Sequence, residues 1–425
     1  MRPLGAVPAP PHYGFGTMSR VIPHFAVRAA RNPNARAEAA YGPDLQAILS
    51  EAGYQAARDE ISAWPGYAPT PLISLPGLAS AAVIGQLWYK DEGGRFGLGS
   101  FKALGGAYAV GRLLLREVES RSGRRTTTAE LRAGKHGDVA QKVTVCTATD
   151  GNHGRSVAWG AQLFGCNCII YIPGTVSEGR KAAMERFGAE VRRVDGNYDD
   201  SVRQIAEDAE RNGWFLVSDT SHPGYTEIPC DVMHGYTVMA GETIQQFPGE
   251  ATPTHVFIQG GVGGLAAAVC ARFWQSFGVH RPRLVIVEPD KAACFYESAR
   301  AGSPVVVTGD LDTVMGGLAA GEVSPVAWDL LWAGADSFLT VPDETAAALM
   351  RLLAKGVDRD PPIVAGESAV AGLAGLVGAL DDPTLAEDLG LGPDSRVLVF
   401  GSEGATDPEL YREIVGRLAE EIKAA

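Results

Sequence analysis

The chain has 425 residues, of which 46% are hydrophobic and 20% charged, a balance typical of a globular protein with a large core. Its formal net charge of −13 argues against a nucleic-acid-binding surface, because such surfaces are basic. Six cysteines without a Cys-x-x-Cys pair predict no disulfide framework and a cytoplasmic protein, and eight histidines without ligand spacing predict no metal site.

The first part of the chain predicts a helix, an extended connector and a strand. A helix is expected over residues 43–58, opened by Pro43 at a cap-like position. The prolines of residues 68–72 predict an extended connector, and a short strand over 87–90 follows. The polar, basic stretch 119–141 then predicts a solvated surface insertion.

The rest of the chain alternates strands with helices, which predicts parallel strands in an α/β fold. We expect two α/β units, one inserted in the other. The apolar run 363–380 is interrupted by Glu367, so it predicts a buried helix and not a membrane span. The predicted strands are 143–147, 168–172, 190–194, 214–218, 255–258, 284–287 and 397–400. The predicted helices are 155–163, 177–187, 201–211, 229–247, 265–277, 345–353, 368–380 and 408–423.

Lys102 lies between a predicted strand and a predicted helix, in the glycine-rich sequence GGRFGLGSFKALGG of residues 93–106. It is the only charged residue between Arg95 and Arg112. In apolar surroundings near the positive end of a helix, the pKa of Lys102 should fall, and its neutral amine becomes available as a nucleophile. The alternative is a lysine that reaches solvent from the start of an ordinary helix.

A glycine loop also joins a predicted strand to a helix, and consists of Gly260, Gly261, Val262, Gly263 and Gly264. Its bare backbone amides and the helix dipole would hold a phosphate. The spacing matches neither a P-loop nor the dinucleotide fingerprint, and a tight turn without a ligand fits the same residues.

Two polar loops occupy similar positions. In the sequence TDGNHG of residues 149–154, Asp150 or Asn152 could cap the following helix, and His153 by itself is more often structural than catalytic. Ser402 directly follows the last predicted strand, where ligands of parallel sheets bind, although it could equally be a helix cap. An imine-forming lysine, a phosphate loop, an asparagine loop and this serine together predict pyridoxal 5′-phosphate as the cofactor.

In this order, these motifs resemble those of the fold type II, or tryptophan-synthase-β-like, pyridoxal-phosphate enzymes. Within that group the chain is similar to the diaminopropionate ammonia-lyases. The resemblance spans residues 65–415 and is carried by residues 95–102, 147–155, 219–220, 227–229, 260–264, 287–290 and 366–368. It implies two open-sheet α/β domains with the cofactor in the cleft between them.

The same resemblance implies the domain limits and the partners. A large cofactor-binding domain would comprise residues 1–105 and 226–425, and a smaller, mobile α/β domain would comprise residues 106–225. The protein would be a homodimer that binds a small amino acid as its substrate. Neither a nucleic acid nor a membrane is an expected partner.

By this resemblance Lys102 would hold the cofactor covalently, and the loop 260–264 would bind its phosphate. Asn152 would bind the phenolic oxygen, Ser402 the pyridine nitrogen, and Phe101 would pack against the cofactor. A serine hydroxyl does not enforce a protonated pyridinium, so β-elimination can compete with transamination.

Two carboxylates complete the implied catalytic set. Asp150 stands where many serine and threonine dehydratases of this fold carry a serine, and its charge suits a substrate with a second amino group. Lys102 and Asp150 could accept the α-proton from either enantiomer. Asp219 would bind the β-ammonium of the substrate. The implied reaction is the α,β-elimination of 2,3-diaminopropionate to pyruvate and two ammonia.

The chain departs from the expected family pattern at Asp231, His234 and Ala320. One alternative is an ammonia-lyase of the same fold that acts on serine, threonine or another β-substituted amino acid. The other is a cofactor-binding protein without catalysis. Asp150 argues against a neutral leaving group, and the presence of both Lys102 and Asp150 argues against a non-catalytic protein.

Overall fold

The structure is a computed structural model and describes residues 21–149, 151–196, 198–249 and 251–424. Its strands β1 to β11 are Arg28–Arg31, Leu72–Ser74, Gln86–Asp91, Thr144–Ala148, Asn167–Pro173, Glu190–Val194, Phe215–Leu216, His255–Gln259, Arg283–Pro289, Ser337–Val341 and Arg396–Gly401. Its helices α1 to α18 are Pro43–Gln46, Glu51–Ile61, Pro76–Ala81, Lys102–Ser122, Thr128–Arg132, Gly137–Ala140, Asn152–Phe164, Glu178–Glu185, Tyr198–Asn212, Glu227–Gln246, Gly264–Phe277, Cys294–Ala301, Pro325–Gly334, Glu344–Lys355, Ala371–Asp381, Pro383–Leu389, Pro408–Val415 and Ala419–Lys423.

The described strands form two sheets. A seven-stranded sheet has the order β1-β10-β9-β8-β11-β3-β2, and its five inner strands run parallel. A four-stranded sheet, entirely parallel, has the order β6-β5-β4-β7. The predicted α/β class with two open sheets is therefore confirmed. The four-stranded sheet draws its strands from residues 144–216; the predicted domain limits stay a prediction.

The central strands of the large sheet have apolar sequences because they are buried. Strand β8 is buried along its whole length, as expected for a parallel strand with helices over both faces. Helix α15 packs closely on it, since a Cβ at Gly372 would lie 2.6 Å from the Phe257 carbonyl oxygen. The buried helix predicted within residues 363–380 is confirmed. Among the described residues, no helix is both long and apolar enough to cross a membrane.

Two predicted helices are each broken in the structure. The single helix expected over residues 43–58 is wrong, because Ser50 adopts an extended backbone and its side chain accepts a hydrogen bond from the Gly53 amide as the cap of α2. The helix expected over 408–423 is also wrong as one element. Gly416 adopts a left-handed conformation, with φ of 79°, which ends α17 before α18 begins.

The surface stretch predicted over residues 119–141 is largely exposed, as expected, but it is also folded and anchored. This stretch contains α5, whose first turn carries a capping box, and α6. Thr128 is buried and donates a hydrogen bond to Glu60 of α2. Arg132 Nη1 lies 2.6 Å from the other carboxylate oxygen of Glu60. The stretch is therefore anchored on α2 by side chains whose long-range partners no local pattern reveals.

Candidate active site

Three predicted site elements meet at one edge of the seven-stranded sheet. Strands β3, β11 and β8 are adjacent and parallel, so their carboxyl ends lie side by side. Lys102 follows β3, Ser402 follows β11 and the loop 260–264 follows β8. In open parallel sheets this edge is where ligands bind.

A buried ion-pair network holds the loop that leads to Lys102. Arg95 Nη2 lies 2.8 Å from Glu92 Oε1 and 2.6 Å from Glu242 Oε2 of α10. Lys90 Nζ lies 3.1 Å from the same Glu242 oxygen. These four side chains are at most 4% exposed. Two cations and two anions balance one another, and removal of one would leave a buried charge unpaired, which fixes the loop.

Backbone hydrogen bonds tie the lysine loop to the serine loop. The Phe101 amide donates to the Ser402 carbonyl over 3.0 Å, and the Gly404 amide donates to the Gly99 carbonyl over 2.9 Å. The ring of Phe101 packs edge-on against Tyr236, with centroids 4.7 Å apart. Phe101, Lys102 and Ser402 are therefore held together by main-chain contacts.

The glycine loop approaches its neighbours too closely for side chains. Gly261 and Gly263 have φ of 59° and 100°, conformations that favour glycine. A Cβ at Gly263 would lie 2.4 Å from the Phe295 ring, and one at Gly260 would lie 2.8 Å from Glu288. The loop thus brings bare backbone to the start of the fourteen-residue helix α11, an arrangement suited to an anion.

Gln259, the last residue of β8, fixes the hydrogen bonding of Ser402. Its Nε2 donates to the Phe400 carbonyl over 2.8 Å and to Ser402 Oγ over 3.0 Å. Because a carbonyl only accepts, the amide orientation is set and Ser402 Oγ is an acceptor in this bond. The hydroxyl proton of Ser402 is left to donate elsewhere, as recognition of an unprotonated pyridine nitrogen requires.

The four-stranded sheet presents its own carboxyl edge to the same place. Asn152 begins α7 after β4, and Asp219 follows the adjacent parallel strand β7. Helix α7 packs along α4, and the Ala107 amide donates to Ser156 Oγ over 3.1 Å. This packing places the first turns of the two helices, which carry Lys102 and Asn152, beside each other.

Lys102 and Asp219 form an ion pair across the two sheets, with Nζ donating to Oδ2. Their side chains are 19% and 16% exposed. Burial would raise the pKa of Asp219, but the Lys102 ammonium outweighs it and holds that pKa well below its usual range. The sequence predicted apolar surroundings for Lys102, whereas the structure sets a carboxylate against it. Lys102 is therefore neither a solvated surface lysine nor an isolated buried one.

Asn152 is oriented from both ends of its amide. Its Oδ1 accepts from Arg155 Nη2 over 2.7 Å, and its Nδ2 donates to Glu403 Oε2 over 2.5 Å. Since these partners are a donor and an acceptor, the amide cannot be flipped without loss of both bonds. One N–H of Asn152 remains for another acceptor, such as a phenolic oxygen.

Arg180 of α8 makes further contacts between the two halves of the molecule, the one with the four-stranded sheet and the one with the seven-stranded sheet. Its Nη2 lies 3.3 Å from Glu367 Oε1, and its Nε lies 3.3 Å from Asp407 Oδ2. Burial and the nearby Glu403 carboxylate raise the pKa of Glu367 to about 8. In the sequence Glu367 only interrupts an apolar run, and the structure makes it a buried partner of Arg180.

Of the remaining predicted residues, the structure describes Asp231 and His234 but not Asp150. Asp150 lies outside the described residues. Asp231 forms ion pairs with Arg112 and Arg116 of α4. His234 Nε2 lies 3.4 Å from the backbone amide of Ser50. These two departures from the family pattern are thus engaged in packing with α4 and α2.

Sequence patterns missed two polar residues of the site and undervalued a third. Gln259 and Glu403 were not singled out, although each adjoins a predicted element, the glycine loop and Ser402 respectively. His153 was considered more often structural than catalytic, yet its Nδ1 lies 3.9 Å from Asp219 Oδ2. A polar residue at the end of a buried parallel strand is the signal that could have found Gln259.

These residues fit pyridoxal phosphate. The glycine loop 260–264 leaves space that a Cβ would fill, which suits the phosphate. Along the edge of the sheet, Ser402 lies between this loop and the amine of Lys102. Ser402 and Asn152 each retain one donor for the ring nitrogen and the phenolic oxygen. Tyr236 Oη and Gln259 Oε1 are buried without a hydrogen-bond partner among the described residues. A buried polar atom without a partner calls for an explanation, and a polar ligand at this edge of the sheet would provide one for Gln259 Oε1.

Comparison with known proteins agrees with this geometry. Residues 63–403 match the family model described as pyridoxal-phosphate dependent enzyme. The diaminopropionate ammonia-lyase of Escherichia coli strain K12 is 39% identical over 383 residues, which cover 88% of this chain and 94% of that protein. The biosynthetic L-threonine dehydratase of the same strain is 28% identical over 235 residues, or 55% of this chain.

A solved structure shows the same relationship. The crystal structure of Escherichia coli diaminopropionate ammonia lyase in complex with an aminoacrylate-PLP azomethine reaction intermediate is similar with a TM-score of 0.81 at 37% identity. The match covers 92% of this chain and 97% of that one. The chain therefore belongs to the diaminopropionate ammonia-lyase family of pyridoxal-phosphate-dependent lyases.

Proposed function

We propose that this protein catalyses the pyridoxal-phosphate-dependent α,β-elimination of 2,3-diaminopropionate, which yields pyruvate and two ammonia. Family membership supports the reaction class and the cofactor. The residues around Lys102 support the choice of a substrate that carries a second amino group.

The chain's own residues would hold and orient the cofactor. Lys102 would bind it covalently, the amides of loop 260–264 would bind its phosphate, and Phe101 would pack against its ring. Asn152 would donate to the phenolic oxygen and Ser402 to the ring nitrogen. When bound, the cofactor withdraws electrons from the substrate's α-carbon and makes the α-proton removable.

The observation that carries the substrate proposal is the contact between Asp219 and an ammonium. Asp219 is a largely buried carboxylate whose partner is the Lys102 ammonium. When Lys102 is engaged by the cofactor, the place of its ammonium against Asp219 Oδ2, which is closer to that oxygen than His153 Nδ1 is, can be taken by another cation. The β-ammonium of diaminopropionate has the charge and size to replace it, whereas the hydroxyl of serine does not.

Proton removal would fall to two groups. The neutral amine of Lys102 would accept the α-proton on one face of the substrate. Asp150 is proposed as the base on the other face, on the strength of the sequence alone. Together they would allow both the D and the L isomer of diaminopropionate to react.

Product stoichiometry tests the proposal. The purified holoenzyme is supplied with D- or L-diaminopropionate, serine or threonine, and pyruvate or 2-oxobutyrate is measured together with ammonia. We expect diaminopropionate to give the highest kcat/KM, with two ammonia per pyruvate. Asp219→Asn should lower kcat/KM for diaminopropionate about 100-fold and change that for serine much less.

The outcome also separates the alternatives. A higher kcat/KM for serine or threonine, with one ammonia per keto acid, would establish the dehydratase alternative. Absence of any keto acid from all of these amino acids would establish a cofactor-binding protein without catalysis.

We also propose a homodimer in the cytoplasm. The dimer rests on the family resemblance, and light scattering on the purified protein should return twice the mass of one chain. The compartment is supported by the cysteines, since all six are free thiols in the structure.

A further inference from the structure

His153 is a buried histidine placed behind the Lys102–Asp219 pair. It follows Asn152 in the first turn of α7, and its side chain is 8% exposed. Its Nε2 lies 2.8 Å from the Val217 carbonyl oxygen. Because a carbonyl can only accept, Nε2 carries a proton in every state of the ring.

The other ring nitrogen faces Asp219. His153 Nδ1 lies 3.9 Å from Asp219 Oδ2 and has no hydrogen-bond partner among the described residues. Since Nε2 holds its proton, a neutral ring presents the Nδ1 lone pair to a carboxylate oxygen. Two acceptors facing each other keep this separation, and a proton placed between them would draw them together.

Lys102 controls which of these states is present. Burial lowers the pKa of His153, Asp219 opposes this effect, and the Lys102 ammonium adds to it. With the ammonium on Asp219, the ring is therefore neutral. Loss of the positive charge at Lys102 Nζ removes the repulsion and leaves Asp219 without its cation.

We propose that His153 takes up, through Asp219, the proton that Lys102 must release to become a neutral amine. The proton leaves Lys102 Nζ, Asp219 Oδ2 accepts it, and Asp219 passes it to His153 Nδ1. Lys102 ends as an amine, Asp219 as a carboxylate and His153 as an imidazolium. No other reactant is needed, and the buried group keeps one cation and one anion throughout. His153 acts through Asp219 and is a positioning residue.

This inference deepens the proposed function, because it rests on Lys102 being the reactive amine. It can nevertheless be tested without substrate turnover. In protein labelled with ¹⁵N-histidine and supplied with pyridoxal phosphate, the ring nitrogen shifts report the protonation of His153. The signal is assigned by its absence from the His153→Gln variant.

Three proteins are compared near neutral pH. In the Lys102→Gln variant, which lacks the ammonium, His153 should be an imidazolium with its pKa raised. In the Lys102→Gln, Asp219→Asn double variant, which also lacks the anion, the ring should be neutral. A neutral His153 in the single variant, or an imidazolium in the double variant, would overturn the proposal. Neither result depends on which amino acid the enzyme consumes.

Turnover gives a second readout. His153→Gln retains an amide that can donate to Val217 but lacks a basic nitrogen. We expect a fall in kcat of about 100-fold near neutral pH that shrinks as pH rises, because hydroxide then removes the Lys102 proton. His255→Gln is a matched control, since His255 is another buried histidine whose Nε2 bonds a carbonyl, that of Leu389. A fall for His153→Gln that is equal at every pH would mean a merely structural role and would contradict the relay.

Discussion

The two sheets contribute to the site through different kinds of contact. On the seven-stranded side, backbone hydrogen bonds join the loop that leads to Lys102 with the loop of Ser402, and the glycine loop is shaped by its own main chain. On the four-stranded side, Asn152 and Asp219 reach across through side chains alone, to Glu403 and Lys102. The difference suggests that the seven-stranded side forms a cofactor site held by its backbone, to which the four-stranded side adds the side chains of Asn152, for the cofactor, and Asp219, for the substrate.

The largest effect is expected at the point where the two sides meet. Lys102→Ala should lower diaminopropionate turnover by about 1,000-fold or more, because it removes both the covalent anchor and an acceptor for the α-proton. The matched control is Lys135→Ala, since Lys135 is 62% exposed and pairs with Glu130 on the surface. If Lys102→Ala retained a tenth of the activity, the assignment of Lys102 would be wrong.

The cofactor site on the seven-stranded side should be disrupted by a substitution that strains its backbone. Gly263→Ala should lower the free energy of unfolding by about 3 kcal/mol and release the cofactor, since the new methyl group meets Phe295 and φ is positive. Gly188→Ala shares a positive φ of 83° but meets nothing within 4 Å, so it should cost about 1 kcal/mol and keep the cofactor. Thermal melts and the visible absorbance of bound cofactor provide the measurements. Full cofactor content in Gly263→Ala would contradict a phosphate cradle.

The four-stranded side should respond differently to the loss of a side chain. Arg180→Ala removes contacts to Glu367 and Asp407 that join the two halves, so kcat should fall about 10-fold while cofactor content stays unchanged. Lys181→Ala on the same helix is the control, because Lys181 pairs within α8, with Glu185. Loss of cofactor from Arg180→Ala would show that the two sides are not independent.

The last prediction concerns the pH dependence of stability. The pKa of Glu367 is raised to about 8 in the folded state, so between its ordinary value and that pH the folded protein keeps a proton that the unfolded chain has lost. The stabilising contribution of Glu367 to the free energy of unfolding is therefore complete at low pH. It falls as pH rises through this range, by up to about 1.4 kcal/mol per pH unit. In the Glu367→Gln variant the melting temperature, measured by calorimetry, should change less with pH between about pH 5 and 8 than it does in the unaltered protein. An unchanged slope would contradict a raised pKa.

Local sequence patterns predicted the elements that carry the site. The glycines before Lys102 and those of residues 260–264 mark strand-to-helix junctions, and the structure begins α4 at Lys102 and α11 at Gly264. Local patterns failed where one residue redirects the chain. Ser50 divides the helix expected over 43–58, since its capping side chain competes with helix continuation.

Contacts across the cleft could not be predicted from periodicity. Lys102 and Asp219 are 117 positions apart, and Asn152 and Glu403 are 251 positions apart. Only the topology of two sheets that face each other by their carboxyl edges brings these side chains together. The family resemblance nominated Asp219, but its partner, and the histidine behind it, emerge from the three-dimensional arrangement.

We place the anchor of the cofactor at Lys102, at the junction of the two sheets. Borohydride reduction of the holoenzyme, followed by proteolysis and mass spectrometry, locates the anchoring lysine directly. We expect one phosphopyridoxyl group per chain, on the peptide that contains Lys102. A phosphopyridoxyl group on another lysine, or none on any, would contradict it.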